Sequence, residues 1–315
     1  MDQIQHKFIE VQGLKLQVAE IGSIWYSWRH QMVAVVEAGF RAPAPDYRGY
    51  RLFDPPLEPE KASFGGLLKD LGALLDAPGI DKVVIRDKLR IFPAYLFSLL
   101  HRESVGGIVT LGIPHCPPFH PIKYHEHLPE GLYISRWQGC RLCNTRFQDR
   151  CTKLGWAEAD FGRLNAKTVV RNIYILFSRS ELPIAAENQE IMDIVDPSTP
   201  LPSWFTEGDL EEYSSLYQKS GFRNTSNDIA LYAWSFKEDL GITEFIIEVP
   251  ALLVVGGKNY VVKFPGIEEY IRSGKVKDFV PRLEIVFLPE GMHFMQEQSL
   301  GEVTQLIIEL LKKHI

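Results

Sequence analysis

Short runs rich in β-branched and aliphatic residues alternate with longer amphipathic stretches along most of this chain. That alternation is what a mostly parallel sheet with crossover helices on both faces requires. Strands are expected at 7–11, 14–21, 40–45, 82–86 and 107–111, and again at 251–255 and 283–288; helices are expected at 26–38, 64–75, 93–100 and 300–311. From about Pro114 to Phe245 the character changes: prolines, tryptophans and tyrosines accumulate and the regular segments look helical. The expected organisation is a core in two parts, 1–113 and 246–315, interrupted by a helical lid at 114–245.

The function classes open to such a chain are narrowed by charge. A formal net charge of -6 spread over 315 residues gives no electrostatic footprint for nucleic acid or for an anionic membrane surface. No stretch reaches the length of a membrane span, and the start, MDQIQHKFIEVQG, lacks the basic and apolar regions of a secretory leader. A cytoplasmic location and a small, weakly charged ligand are therefore expected, while the oligomeric state is left open. Of the four cysteines, Cys140, Cys143 and Cys151 crowd into one basic segment. A Cys-x-x-Cys pair can contribute to a zinc site, but no second pair follows at the spacing such sites use, so reduced thiols and no metal are expected. The sequon at Asn224-Thr225-Ser226 carries no weight without secretion.

Several segments carry a resemblance, in order along the chain: Trp25-Tyr26-Ser27-Trp28-Arg29-His30-Gln31-Met32, Ala44-Pro45-Asp46-Tyr47-Arg48-Gly49-Tyr50, the strings LPEGLYISRWQ and LYQKSGFR, Lys258-Asn259-Tyr260, and Pro289-Glu290-Gly291-Met292-His293-Phe294. Together they resemble the plant-type soluble epoxide hydrolases. The resemblance implies an α/β-hydrolase fold, no cofactor, and a small apolar epoxide as substrate. It also implies a mechanism in which a carboxylate opens the epoxide to form an ester and a histidine-activated water hydrolyses that ester. On matching positions, His293 takes the place of the general base, and Tyr133 and Tyr217 take the places of the lid hydroxyls that meet the developing oxyanion.

Departures from the family pattern fall on the catalytic parts. Ile21-Gly22-Ser23 runs directly into Ile24-Trp25, so one central strand and its loop, which forms a wall of the oxyanion site, are expected to be missing. The nucleophile should stand in a Gly-x-Asp-x-Gly turn, yet the chain reads Ile85-Arg86-Asp87-Lys88-Leu89-Arg90. Asp87 is the available carboxylate, Lys88 occupies the nucleophile position by register, and neither glycine that would permit a tight elbow is present. The acid that orients the histidine appears as Asn259, which can hold the ring but cannot stabilise an imidazolium. The segment between Gln138 and Glu158 resembles an insertion into the lid. The expectation is a family member with impaired catalysis, or a binding protein or non-functional product of the same lineage. Loss of the central strand is expected to leave its neighbours, 40–45 and 82–86, able to pair directly.

Overall fold

The computed structural model describes residues 6–11, 14–19, 23–42, 44–45, 64–75, 83–87, 91–117, 128–137, 156–222 and 240–314. Among them, four strands form a parallel sheet in the order β4-β5-β6-β7: β4 (Val83–Asp87), β5 (Val105–Leu111), β6 (Ala251–Gly256) and β7 (Leu283–Leu288). β6, with the sequence ALLVVG, is buried at every position. Such a continuous apolar run belongs to a parallel strand covered on both faces.

The side chains divide accordingly. Ile108, Ala251, Leu253 and Val255 point to one face, where they pack with α2 (Phe64–Leu75), α3 (Ile91–Leu100) and α8 (Ile267–Arg272). Val109, Leu111, Leu252 and Val254 point to the other, against α1 (Arg29–Glu37) and α10 (Leu300–His314). Alternation along each strand is the pleat expressed as two cores. Leu253 and Val254 are both fully buried, one on each face.

A second set of strands is separate and antiparallel: β1 (His6–Val11), β2 (Leu14–Ala19) and β3 (Ala44–Pro45). Two expectations need correction here. The strand expected at 40–45 is reduced to Ala44–Pro45, because prolines at 43 and 45 remove two ladder donors from so short a run. Direct pairing between this segment and β4 does not occur among the described residues, where β3 pairs with β2 and β4 with β5. The helix expected at 26–38 starts as a 3-10 turn, Ser23–Trp28, before becoming α1.

Between β5 and β6 the described structure is helical: α4 (Tyr133–Trp137), α5 (Trp156–Gly162), α6 (Ala166–Phe177) and α7 (Glu207–Ser220). α7 begins with a capping box in which the Thr206 side chain accepts from the Asp209 backbone N–H and Asp209 accepts from that of Thr206. α6 and α7 build a third apolar cluster with Tyr26, Tyr260 and Phe294. No helix among the described residues is long and apolar enough to cross a membrane. The cysteine-rich segment, the sequon and the 138–155 stretch lie outside the described residues.

Candidate active site

In a parallel sheet, side chains that act on a ligand gather at the carboxyl ends of the strands. Asp87 ends β4, Asn259 lies three residues past β6, and His293 five residues past β7. The loops after β6 and β7 are fastened to one another: Gly257 N–H donates to Leu288 C=O at 2.8 Å and Lys258 N–H to Gly291 C=O at 2.9 Å. A Cβ on Gly256 would lie 2.3 Å from the Gly291 carbonyl oxygen, so glycine is needed where these loops touch.

This seam brings Asn259 and His293 together. Both are buried, at 1% and 8% exposure, and His293 Nδ1 lies 3.4 Å from Asn259 Oδ1, the long end of hydrogen-bond distance. Asn259 is also the N-cap of the 3-10 helix Tyr260–Lys263, its Oδ1 accepting from Val261 N–H at 3.2 Å. From behind, Gly112 closes the pocket around the amide. It sits just past β5 with φ +79°, and a Cβ there would fall 2.4 Å from Asn259 Nδ2.

Tyr133, at the start of α4, joins through Tyr260. Their hydroxyls are 3.3 Å apart, and the Tyr260 ring lies 4.9 Å from the His293 ring. Burial pushes the Tyr133 phenol up to about 12, the Tyr260 hydroxyl drawing it back in part. Burial also raises Tyr260 well above the usual tyrosine range. Both remain protonated donors at neutral pH. Tyr217, on α7, packs at the edge of the same apolar cluster and stacks on Phe222 at 4.8 Å.

Asp87 is the expected site residue for which only the backbone is described. It ends β4 in register with Thr110 of β5. Residues 88–90, where the nucleophile turn would stand, lie outside the described residues, and α3 begins at Ile91. Among the described residues no group of three or more His, Cys, Asp or Glu is placed to hold a metal ion.

Two participants were not anticipated. Tyr260 follows Asn259 directly, and only the fold reveals that its hydroxyl meets Tyr133. Glu297, four residues after His293, is a buried carboxylate held by Arg29, Tyr174 and Tyr213. No local pattern could announce it, because Arg29 is 268 positions away.

A parallel sheet with helices on both faces, a helical excursion between two of its strands and a histidine past the last strand define an α/β-hydrolase. Comparison with known proteins makes the assignment narrower. The chain is 30% identical to epoxide hydrolase 1 of Siraitia grosvenorii over 99% of its own length and 100% of that protein. It superimposes on potato (Solanum tuberosum) epoxide hydrolase I with a TM-score of 0.83 at 29% identity, covering 98% of this chain and 99% of that one. A Vigna radiata epoxide hydrolase mutant gives a TM-score of 0.84 at 28% identity, over 99% and 100%. No family model matches. The chain belongs to the plant-type epoxide hydrolase family.

Proposed function

We propose that this chain carries the epoxide-hydrolase site in an impaired form, with a small apolar epoxide as its ligand and with residues 114–245 acting as a lid over a core formed by 1–113 and 246–315. In the intact reaction a carboxylate oxygen attacks an epoxide carbon and the ring C–O bond breaks. The departing oxygen takes a proton from a tyrosine, and an ester is left. Water then adds to the ester carbonyl while a histidine takes its proton; the ester C–O bond breaks, the leaving alkoxide takes that proton from the imidazolium and departs as the diol, and the carboxylic acid left behind returns a proton to the tyrosinate, regenerating the carboxylate. Asp87 would be the nucleophile, His293 the base, and Tyr133 and Tyr217 the hydroxyl donors.

One observation carries the impairment: His293 Nδ1 faces the neutral amide of Asn259 in a buried setting. Taking a proton from water makes the imidazole cationic, and the amide that faces Nδ1 brings no charge to offset the cost of burying it. In a serine-protease triad, replacing the orienting acid by its amide costs ~10⁴ in turnover. Ile85 and Leu89 stand where glycines would let the chain turn sharply at Asp87, which weakens the first half-reaction too.

The same amide supports a second reading, a non-catalytic small-molecule binder that keeps the pocket, or a product without function. Incubation with styrene oxide separates the readings. The impaired enzyme forms diol slowly and loses it in His293→Ala. Equal diol from both proteins ends the enzyme reading, and protection against heat without diol supports the binder.

A further inference from the structure

The loop that carries His293 is held at a second point, away from the seam with Asn259. The Glu297 carboxylate, on α9 (Met295–Gln298), has a side chain only 3% exposed. Its Oε1 accepts from Arg29 Nη1 at 3.2 Å and from the Tyr213 hydroxyl at 2.9 Å; its Oε2 accepts from the Tyr174 hydroxyl at 2.9 Å. Arg29 in turn binds Asp209 of α7 at 2.6 Å. One carboxylate therefore ties α9 to α1, to α6 through Tyr174, and to α7 through Tyr213.

Two geometric facts give this hub a bearing on the site. Phe294, the residue after His293, stacks on Tyr174 with ring centroids 4.4 Å apart and planes 13° apart, so Tyr174 grips the histidine loop by its ring and its hydroxyl together. Tyr213 and Tyr217 are four residues apart on α7, one helical turn along a single face. Anchoring the Tyr213 hydroxyl on Glu297 thus sets the rotation of α7 and the place of Tyr217.

We propose that Glu297 is a positioning residue that fixes the separation between His293 and Tyr217, clamping the histidine loop and α7 onto one buried carboxylate. The inference rests on the reading of those two residues as base and hydroxyl donor of one site. His293 sits in the loop that this anchorage holds, one residue before the Phe294 ring that stacks on Tyr174. A purely stabilising carboxylate would add to the melting temperature and leave the two rings where they are.

The test needs no turnover, so its failure is distinct from a failure to form diol. Histidine and tyrosine ring signals are followed by NMR in the full chain, with His293 and Tyr217 assigned by His293→Ala and Tyr217→Phe. In Glu297→Gln, which keeps the shape and removes the charge, the His293 and Tyr217 signals are expected to shift together, while Tyr95, buried between α3 and β5, stays. A lowered melting temperature with both signals unmoved, or an equal shift at Tyr95, overturns the proposal. Should Glu297→Gln not fold, Tyr174→Phe removes one hydroxyl and keeps the stacked ring. A smaller paired shift in that variant supports the clamp, and no shift refutes it.

Discussion

On the proposed reading, the two ends of the relay depart from the family pattern in different ways. On the β6–β7 side, the residue beside His293 is a neutral amide: Asn259 is buried, caps a 3-10 turn and lies within reach of Nδ1. On the β4 side, the sequence places Ile85 and Leu89 around Asp87, where the proposed elbow would call for glycine. A neutral isostere preserves a pocket while removing its chemistry; a bulky residue at a turn removes the pocket's geometry. If the proposed impairment holds, the first kind of change is reversible by one substitution, and the second is not.

Asn259→Asp gives the sharpest test of this contrast. If only the charge were missing, the substitution would raise diol formation towards the ~10⁴ that an orienting acid contributes in a serine-protease triad. We expect a far smaller rise, and no ester adduct on Asp87 by intact-protein mass spectrometry with styrene oxide, because on the proposed reading the β4 side would also limit the reaction. A rise approaching the full factor, or accumulation of an adduct in the unsubstituted protein, breaks the comparison.

Next in size is the alkaline limit of the histidine side. Tyr133, Tyr174, Tyr213 and Tyr260 all have phenols raised by burial, Tyr133 to about 12. Above pH ~10 the unfolded chain releases these protons while the folded one holds them, so stability is complete below that pH and falls as pH rises through about 12. Thermal melts across this range, with tyrosinate absorbance recorded in parallel, should show ionisation accompanying unfolding; early ionisation in the folded protein would count against it.

Gly112→Ala is expected to cost ~1–3 kcal/mol, the usual range for an unfavourable backbone conformation, because a Cβ would press on the Asn259 amide at a positive φ. Denaturant melts measure the cost, and a His293 NMR signal that stays in place would show that the seam absorbs the clash elsewhere. The smallest effect belongs to Tyr260→Phe, which removes the hydroxyl facing Tyr133 and should cost ~0.5–1.5 kcal/mol. No change in stability would mean that the 3.3 Å contact is not a formed bond.

Much of the C-terminal sheet was legible from local pattern. β7 spans the expected 283–288, and β6 extends the expected 251–255 by one residue. Both are apolar runs whose burial depends little on distant partners. The 40–45 segment forms less strand than its pattern predicts because its two prolines withhold ladder donors. His293 and Asn259 were found from motif context, and the fold brings them within 3.4 Å. Glu297 and Tyr260 were invisible because their significance lies in contacts made across the fold, to Arg29, Tyr174 and Tyr133.

The cap on the Tyr260–Lys263 turn has one more effect. Val261 N–H can only donate, so the Asn259 amide must keep its oxygen on that side, and rotating it by half a turn would set two donors against each other. The oxygen that results also faces His293, which obliges Nδ1 to carry the hydrogen and leaves the lone pair on Nε2. A backbone amide two residues from the asparagine thereby favours the imidazole tautomer that carries its hydrogen on Nδ1.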